Sequence, residues 1–307
     1  MPALANQLDG LTTVLRISRI PSACPDTPHE TAHARPRLLE RIVLAGAEPK
    51  RSVHDRERPL GVRLSFAPTM KSALSEADLV QENGPERPDF KIKLFAAMDD
   101  ATPPDSLIAS SSSGITMSVM QSGCKRPERC VIGHPFNPPH IIPLVEVVGG
   151  AKTSPAAIQQ AMAFYAAIGK KPILLHKELP GHVGNRLQAA LYREVMHLIQ
   201  QGVLSVADAD DAVSWGPGLR WGVMGPSLQW HLGGGTGGIE HFMEHLMDPL
   251  AGMIKTLGNP EITPDLKRTI VEEVLQEAGR RSVEQLAHEE DELLVGLLRL
   301  RSQPRAS

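Results

Sequence analysis

The chain has 307 residues, 41% of them hydrophobic and 22% charged, with a net charge of -3; this is a globular profile, long enough for two domains and unlike a disordered or fibrous chain. No apolar run reaches the length of a bilayer span, and 3 Trp, 2 Tyr and 6 Phe are too few for the stacking surface of a single-strand nucleic-acid binder. Three cysteines, Cys24, Cys124 and Cys130, form no CxxC pair, which gives no structural zinc site and points to a reducing compartment; with no secretory pattern, the cytoplasm is expected.

In chain order, residues 1–70 stand apart. They carry a net charge of +3 against -6 for the remainder, and eight of the 26 prolines. Thr12 to Ile20 fits a strand and Arg37 to Leu44 a helix, while Pro21, Pro25, Pro28 and Pro36 interrupt anything longer. Asp9, Asp26 and Glu30 argue against an Arg-rich transit peptide. The segment contains no strand followed by a Gly-rich turn and a helix.

After Pro68 the rhythm becomes α/β. Strands are expected at Ala77 to Val80, Leu107 to Ser110, Val131 to Gly133, Leu144 to Val148 and Pro172 to Leu175, with helices at Phe90 to Met98 and Ser154 to Gly169. Ser154 reads as the N-cap of the second helix, Pro155 as its first position and Gly169 as its end. This alternation predicts a mostly parallel sheet covered by helices. Beyond Pro180 only helical periodicity remains, in Asn185 to Gln201, Val206 to Val213, Thr263 to Ala278 and Ser282 to Leu300. Pro180–Gly181 is therefore the expected boundary between an α/β domain over 71–180 and a helical domain over 181–307, whose apolar faces suit a second copy of the chain.

Three polar residues stand at or near strand ends: Ser113, His134 and Glu146. Ligands of open α/β sheets bind beyond the carboxyl ends of strands. Glu146, flanked by Val145 and Val147, needs a partner if buried, and histidine is the natural one. A His–Glu pair makes a base suited to taking a proton from an alcohol, and from spacing alone it is matched by a structural reading as a satisfied core histidine.

Four segments in order, Ile-Ala-Ser-Ser-Ser-Ser-Gly, Gly-His134-Pro-Phe-Asn137-Pro-Pro, Pro-Leu-Val-Glu146-Val-Val and Pro-Gly-His-Val-Gly-Asn185-Arg-Leu, resemble the 3-hydroxyacyl-CoA dehydrogenase family. The runs Ala-Asp-Leu-Val-Gln-Glu-Asn-Gly-Pro-Glu-Arg from Ala77 and Trp-Gly-Pro-Gly-Leu-Arg-Trp from Trp215 resemble its carnitine-oxidising branch. The likeness covers about residues 70–300. It implies a Rossmann-like NAD-binding domain, with residues 1–70 replacing its first part, followed by an all-helical domain like that of 6-phosphogluconate dehydrogenase, and NAD-dependent oxidation of a 3-hydroxyl. It implies His134 as general base, Glu146 as its orienting partner, and Ser113 and Asn185 as hydrogen-bond partners of the substrate oxygen. Glu86, Lys91, Ser113 and Asn137 would line the nicotinamide half of the cofactor site. A homodimer through the helical domain is expected.

The substrate has a separate signal. Trp215, Trp221 and Trp230 fall within sixteen residues, and Trp faces attract quaternary ammonium groups; Arg220 could hold a carboxylate. A core or interface role for these tryptophans competes with that reading. The only G-x-G-x-x-G, Gly233 to Gly238, lies in the helical half with no strand before it and is read as a turn. His241-Phe-Met-Glu244-His245 matches an H-x-x-E-H zinc-hydrolase pattern, a much weaker signal than the four ordered segments; no metal is expected. The sequence is also compatible with a short-chain 3-hydroxyacyl-CoA as substrate, and with a non-catalytic member of the family that does not bind NAD.

Overall fold

The computed structural model describes residues 14–17, 42–45 and 64–303, with side chains from Ala67 onward. It divides into two compact units, Met1–Gly184 and Asn185–Ser307.

In the first unit eight strands form one sheet: β1 Val14–Ile17, β2 Ile42–Ala45, β3 Leu64–Ala67, β4 Leu79–Glu82, β5 Leu107–Ser110, β6 Cys130–Pro135, β7 Leu144–Gly149 and β8 Lys171–Leu174, in the spatial order β3-β2-β1-β4-β5-β6-β7-β8. Four of the seven ladders are parallel. Those of β1 with β2 and with β4, and of β6 with β7, are antiparallel. The expected helix at Arg37 to Leu44 is corrected in its last part, because Ile42, Val43 and Leu44 pair between β1 and β3; four apolar residues satisfy either period, and the sheet supplies the partners that decide. Its first part, residues 37–41, and the prolines at 21, 25, 28 and 36 lie outside the described residues.

The central strands β4, β5, β6 and β7 are buried on both faces, so they read as apolar runs. Leu79, Leu107, Ala109, Val131, Val145 and Val147 pack against Ala157, Ala161, Phe164 and Tyr165 of a helix at Pro155–Ala167. Their neighbours Val80, Ile108, Cys130, Ile132 and Val148 pack against Leu94, Phe95 and Met98 of a helix at Pro88–Ala101 and against Met117 and Met120. The cap at Ser154 forms as expected, its side chain accepting the Ala157 N–H, and Gly169 leaves the helix at φ +82°.

β6, which carries His134, is anchored at its start by a buried ion pair. The Asp99 carboxylate accepts from Arg129 Nη2 at 2.7 Å, Lys125 N at 2.7 Å and Arg126 N at 3.1 Å. Burial alone would raise the Asp99 carboxyl, but these donors outweigh it and hold it below its ordinary value. Its contribution is therefore present above the ordinary carboxylate pKa of about 3.9 and is lost as pH falls through the lower folded value. Asp99→Ala, which leaves the Arg129 guanidinium buried and unpaired, should cost ~3–5 kcal/mol at neutral pH. Urea unfolding should show that gap narrowing in acid; a gap independent of pH would contradict the assignment.

In the second unit the helices are Gly184–Gln200 (begun by the last residue of the first unit), Val206–Ser214, Pro217–Val223, Pro226–Gly233, Gly238–His245, Met247–Ile254, Pro264–Ala278 and Val283–Arg301. Ser205, Thr263 and Ser282 cap three of them by accepting the N–H three residues on. Val195, Ile199, Val206, Ala209 and Leu266 form a small core. The four short helices between Pro217 and Ile254 are absent from the periodicity reading, since Gly216, Gly218, Gly222, Gly225 and the Gly233–Gly238 run break the pattern. That Gly-rich run closes one helix and opens the next.

Candidate active site

His134 and Glu146 face each other across the β6–β7 ladder. The register places His134 Nδ1 3.0 Å from Glu146 Oε2, with the histidine 7% and the glutamate 0% exposed. A carboxylate only accepts, so Nδ1–H is the donor and Nε2 carries the lone pair. The other carboxylate oxygen, Oε1, accepts the backbone N–H groups of Val183 at 2.8 Å and Gly184 at 2.9 Å. Three donors thus hold one buried carboxylate and fix the ring it orients. Behind β6, a Cβ at Gly133 would run into the Tyr165 hydroxyl, which itself donates to Gln81 Oε1.

A second polar cluster forms where β5 ends. Lys91 and Glu82 are 1% and 0% exposed, and Lys91 Nζ donates to both Glu82 oxygens at 2.9 Å. Glu82 also accepts from Ser110 Oγ at 2.6 Å and from the Gly84 N–H. Glu86 closes the serine turn, accepting Ser112 Oγ at 2.6 Å, Gly114 N at 2.8 Å and Ile115 N at 3.1 Å, with Lys91 Nζ at 3.6 Å. Burial raises the Glu86 carboxyl, yet Ser112, the two N–H groups and Lys91 outweigh it and leave it lowered.

The first unit therefore brings together His134 with Glu146, and Glu86 with Lys91 and the serine turn. Ser113 is half-buried in that turn, and Asn137 is exposed just after β6. Asn185 opens the second unit, directly following Gly184, whose N–H is bound to Glu146. In the second unit, Trp230 stacks on Phe242 at 4.9 Å, so one of its faces is covered. Trp215 and Trp221 are exposed, and Arg220 donates to Gln229 Oε1 at 2.8 and 3.0 Å. The His241 and His245 rings meet edge to face at 4.4 Å, His245 lies 3.9 Å from Glu244, and among the described residues no group of three or more His, Cys, Asp or Glu is placed to hold a metal ion.

Sequence reasoning missed Glu82, Ser112 and His182. Glu82 carries the same signal as Glu146, a carboxylate in the apolar run Leu-Val-Gln-Glu, but the expected strand stopped at Val80 and left it outside. His182 is buried, with its ring 4.9 Å from that of His134.

The sequence profile described as 3-hydroxyacyl-CoA dehydrogenase, NAD binding domain, matches residues 12–179, and that described as 3-hydroxyacyl-CoA dehydrogenase, C-terminal domain, matches residues 181–281. The chain belongs to the 3-hydroxyacyl-CoA dehydrogenase family. Among its relatives, an L-carnitine dehydrogenase of Streptomyces griseus is 44% identical over 237 residues, 77% of this chain and 71% of that protein. One from a Pseudomonas species is 38% identical over 296 residues, 96% and 87% of the two chains. A crystal structure of 5-formyl-3-hydroxy-2-methylpyridine 4-carboxylic acid 5-dehydrogenase, described as an NAD+ dependent dismutase, superposes with a TM-score of 0.67 at 29% identity, covering 80% and 81% of the chains.

As a member of the 3-hydroxyacyl-CoA dehydrogenase family, this chain is an NAD-dependent oxidoreductase. The donors and acceptors of Glu86, Lys91 and the serine turn fit a nicotinamide riboside, which presents hydroxyls and an amide. The pyrophosphate side departs from the usual pattern. In a Rossmann domain the Gly-rich turn follows the first strand at the sheet's ligand end, whereas here β1 is reversed, with its last residue, Ile17, opposite Ile42 and Leu79 and its first, Val14, opposite Glu82. Glu86 is the carboxylate that holds the serine turn together, accepting from Ser112, Gly114 and Ile115, and a role in holding NAD is tested through it. Glu86→Ala, which releases Ser112 Oγ and two N–H groups, should raise the KM for NAD roughly tenfold, the equivalent of one charge-assisted hydrogen bond. Initial rates at varied NAD would show it, and an unchanged KM would remove Glu86 from that role.

Proposed function

We propose that this chain oxidises the 3-hydroxyl of L-carnitine to the ketone, 3-dehydrocarnitine. The observation that carries the chemistry is the 3.0 Å His134–Glu146 pair held across two strands. His134 Nε2 takes the hydroxyl proton as the C–H electron pair leaves C3, and Glu146 stabilises the imidazolium that results. Ser113 and Asn185 keep the roles the resemblance implies, hydrogen bonding to the substrate oxygen. NAD, when bound, supplies the hydride acceptor; the protein supplies the base, its orientation and the cradle of Glu86, Lys91, Ser113 and Asn137.

The substrate rests on the relatives bearing the name L-carnitine dehydrogenase at 38–44% identity and on the exposed Trp215 and Trp221, whose faces suit a trimethylammonium group. Arg220 is the residue we assign to the carboxylate. The second unit exposes Leu275, Leu293 and Leu300 on its last two helices, apolar surface that supports a homodimer through this unit. The described cysteines, Cys124 and Cys130, are unbridged, which supports a reducing, cytoplasmic setting. No described helix is long and apolar enough to cross a membrane.

A short 3-hydroxyacyl-CoA is the second reading, favoured by the family match. Reduction of NAD by the purified protein with L-carnitine and, separately, with 3-hydroxybutyryl-CoA decides between them. Turnover with L-carnitine at the higher kcat/KM is expected; turnover confined to the CoA ester would replace this reading.

A further inference from the structure

One segment, His182-Val183-Gly184, touches Glu146, His134 and the serine turn. Val183 and Gly184 donate to Glu146. His182 Nε2 lies 2.8 Å from the Ser112 carbonyl oxygen, and its ring packs against the His134 ring with centroids 4.9 Å apart and planes tilted by 45°. His182 is 3% exposed, and among the described residues it is the one non-glycine with positive φ, +49°. Its Nδ1 is the one buried side-chain nitrogen or oxygen among them without a hydrogen-bond partner.

These facts fit together chemically. A carbonyl only accepts, so Nε2–H donates and Nδ1 keeps a bare lone pair. Packing alone would be served by a phenyl ring, which has no nitrogen of its own to strand, but only the imidazole donates to the buried Ser112 carbonyl. A left-handed, buried, half-satisfied residue persists where surrounding structure requires it, and such residues cluster at functional sites. What the fold keeps here is the Nε2–H, which ties the carbonyl before Ser113 to the ring beside the base.

We propose that His182 is a positioning residue of the reaction: its Nε2–H pins the serine turn at Ser112 while its ring buttresses His134, fixing Ser113 and the base at one separation. The proposal rests on the dehydrogenase reading above. It predicts a pattern that packing alone does not. A glutamine amide nitrogen can reach the position of Nε2, whereas an asparagine nitrogen reaches only that of Nδ1, and phenylalanine keeps the ring without the donor.

The test compares His182→Phe, His182→Asn and His182→Gln by kcat, by KM for NAD and substrate, and by melting temperature. His182→Phe, which leaves the buried Ser112 carbonyl without its His182 donor, should melt somewhat below wild type and lose about 10–100-fold in kcat with KM values within a factor of about three, as for a misplacement of roughly 1 Å. His182→Asn should lose as much, and His182→Gln, which restores the donor but not the ring, should recover part of the loss. Wild-type kcat in His182→Phe overturns the proposal. So does a His182→Gln no faster than His182→Asn, a comparison that stands even where the phenylalanine variant does not fold. Wild-type protein inactive on both hydroxy substrates would sink the dehydrogenase reading and this inference together, while an active wild type with the wrong variant pattern sinks the inference alone.

Discussion

Replacing His134 by glutamine should lower kcat by about 10²–10⁴-fold, the usual worth of a positioned general base, while the affinity for NAD and the melting temperature stay near wild type. The reduction corresponds to ~3–5 kcal/mol of transition-state stabilisation. The asymmetry follows from the geometry. His134 sits at the end of β6, and its Nδ1 bond to Glu146 is one of three that this carboxylate accepts. The glutamine amide extends to the Nε2 position and leaves Glu146 its two backbone donors, Val183 and Gly184, so the buried carboxylate keeps partners, yet the amide has no lone pair of suitable basicity. Steady-state kinetics alongside a fluorescence titration of reduced nicotinamide nucleotide separates the two effects. Turnover retained within a factor of about ten would remove His134 from its assigned role.

Glu146→Gln should be nearly as damaging to kcat, for a different reason. The amide oxygen can go on accepting from Val183 and Gly184, but the amide nitrogen then faces His134 Nδ1 as a donor. The imidazole must turn that nitrogen into an acceptor, which moves its proton to Nε2, where the base is needed. Loss of the correct tautomer with preserved geometry costs about 10⁴ in a comparable triad. Glu146→Ala should go further, leaving His134 Nδ1–H and two backbone N–H groups without their acceptor in a fully buried place, and lose about 3–5 kcal/mol of folding stability as well. The double variant His134→Gln with Glu146→Gln should be little slower than the worse single one, because the two residues act as a unit. Fully multiplicative losses would mean that they act separately.

The fold was legible where burial is two-sided or a cap is chemical. Leu107 to Ser110 is a strand in both sequence and structure, because four apolar or small residues bounded by a turn have few other homes. The helix begun by Ser154 and Pro155 starts where its side-chain chemistry says it should. His134 and Glu146 were legible because a polar residue in an apolar strand demands a partner, and twelve residues of antiparallel hairpin bring them face to face. Glu82 carried the same demand and was missed by a two-residue error in a strand end, which shows how much a site reading depends on boundaries. His182 was hidden because its contacts are with a carbonyl seventy residues earlier and with a ring on another strand, neither of which has a local trace. The helices between Pro217 and Ile254 were hidden by their own glycines and prolines. In the first segment, Ile42 to Ala45 could not be assigned from its period alone; its pairing partners, Val14 to Ile17 and Leu64 to Ala67, are distant in sequence.

The reversed β1 bears on function more than any of these. β1 lies between β2 and β4 and runs against both, so this part of the sheet does not follow the usual Rossmann course, whereas the cluster of Glu86, Lys91 and the serine turn, which we assign to the nicotinamide, is built on the strands and helix that follow. The chemistry assigned to His134 and Glu146 does not depend on that strand, but turnover requires that NAD bind.

The most direct measurement is the transfer of label from L-carnitine deuterated at C3, incubated with NAD and the purified protein, to the reduced nicotinamide, read by mass spectrometry. One deuterium should appear in the nicotinamide ring with the wild-type protein and almost none with His134→Gln. No transfer by the wild type, or equal transfer by the variant, would contradict the account.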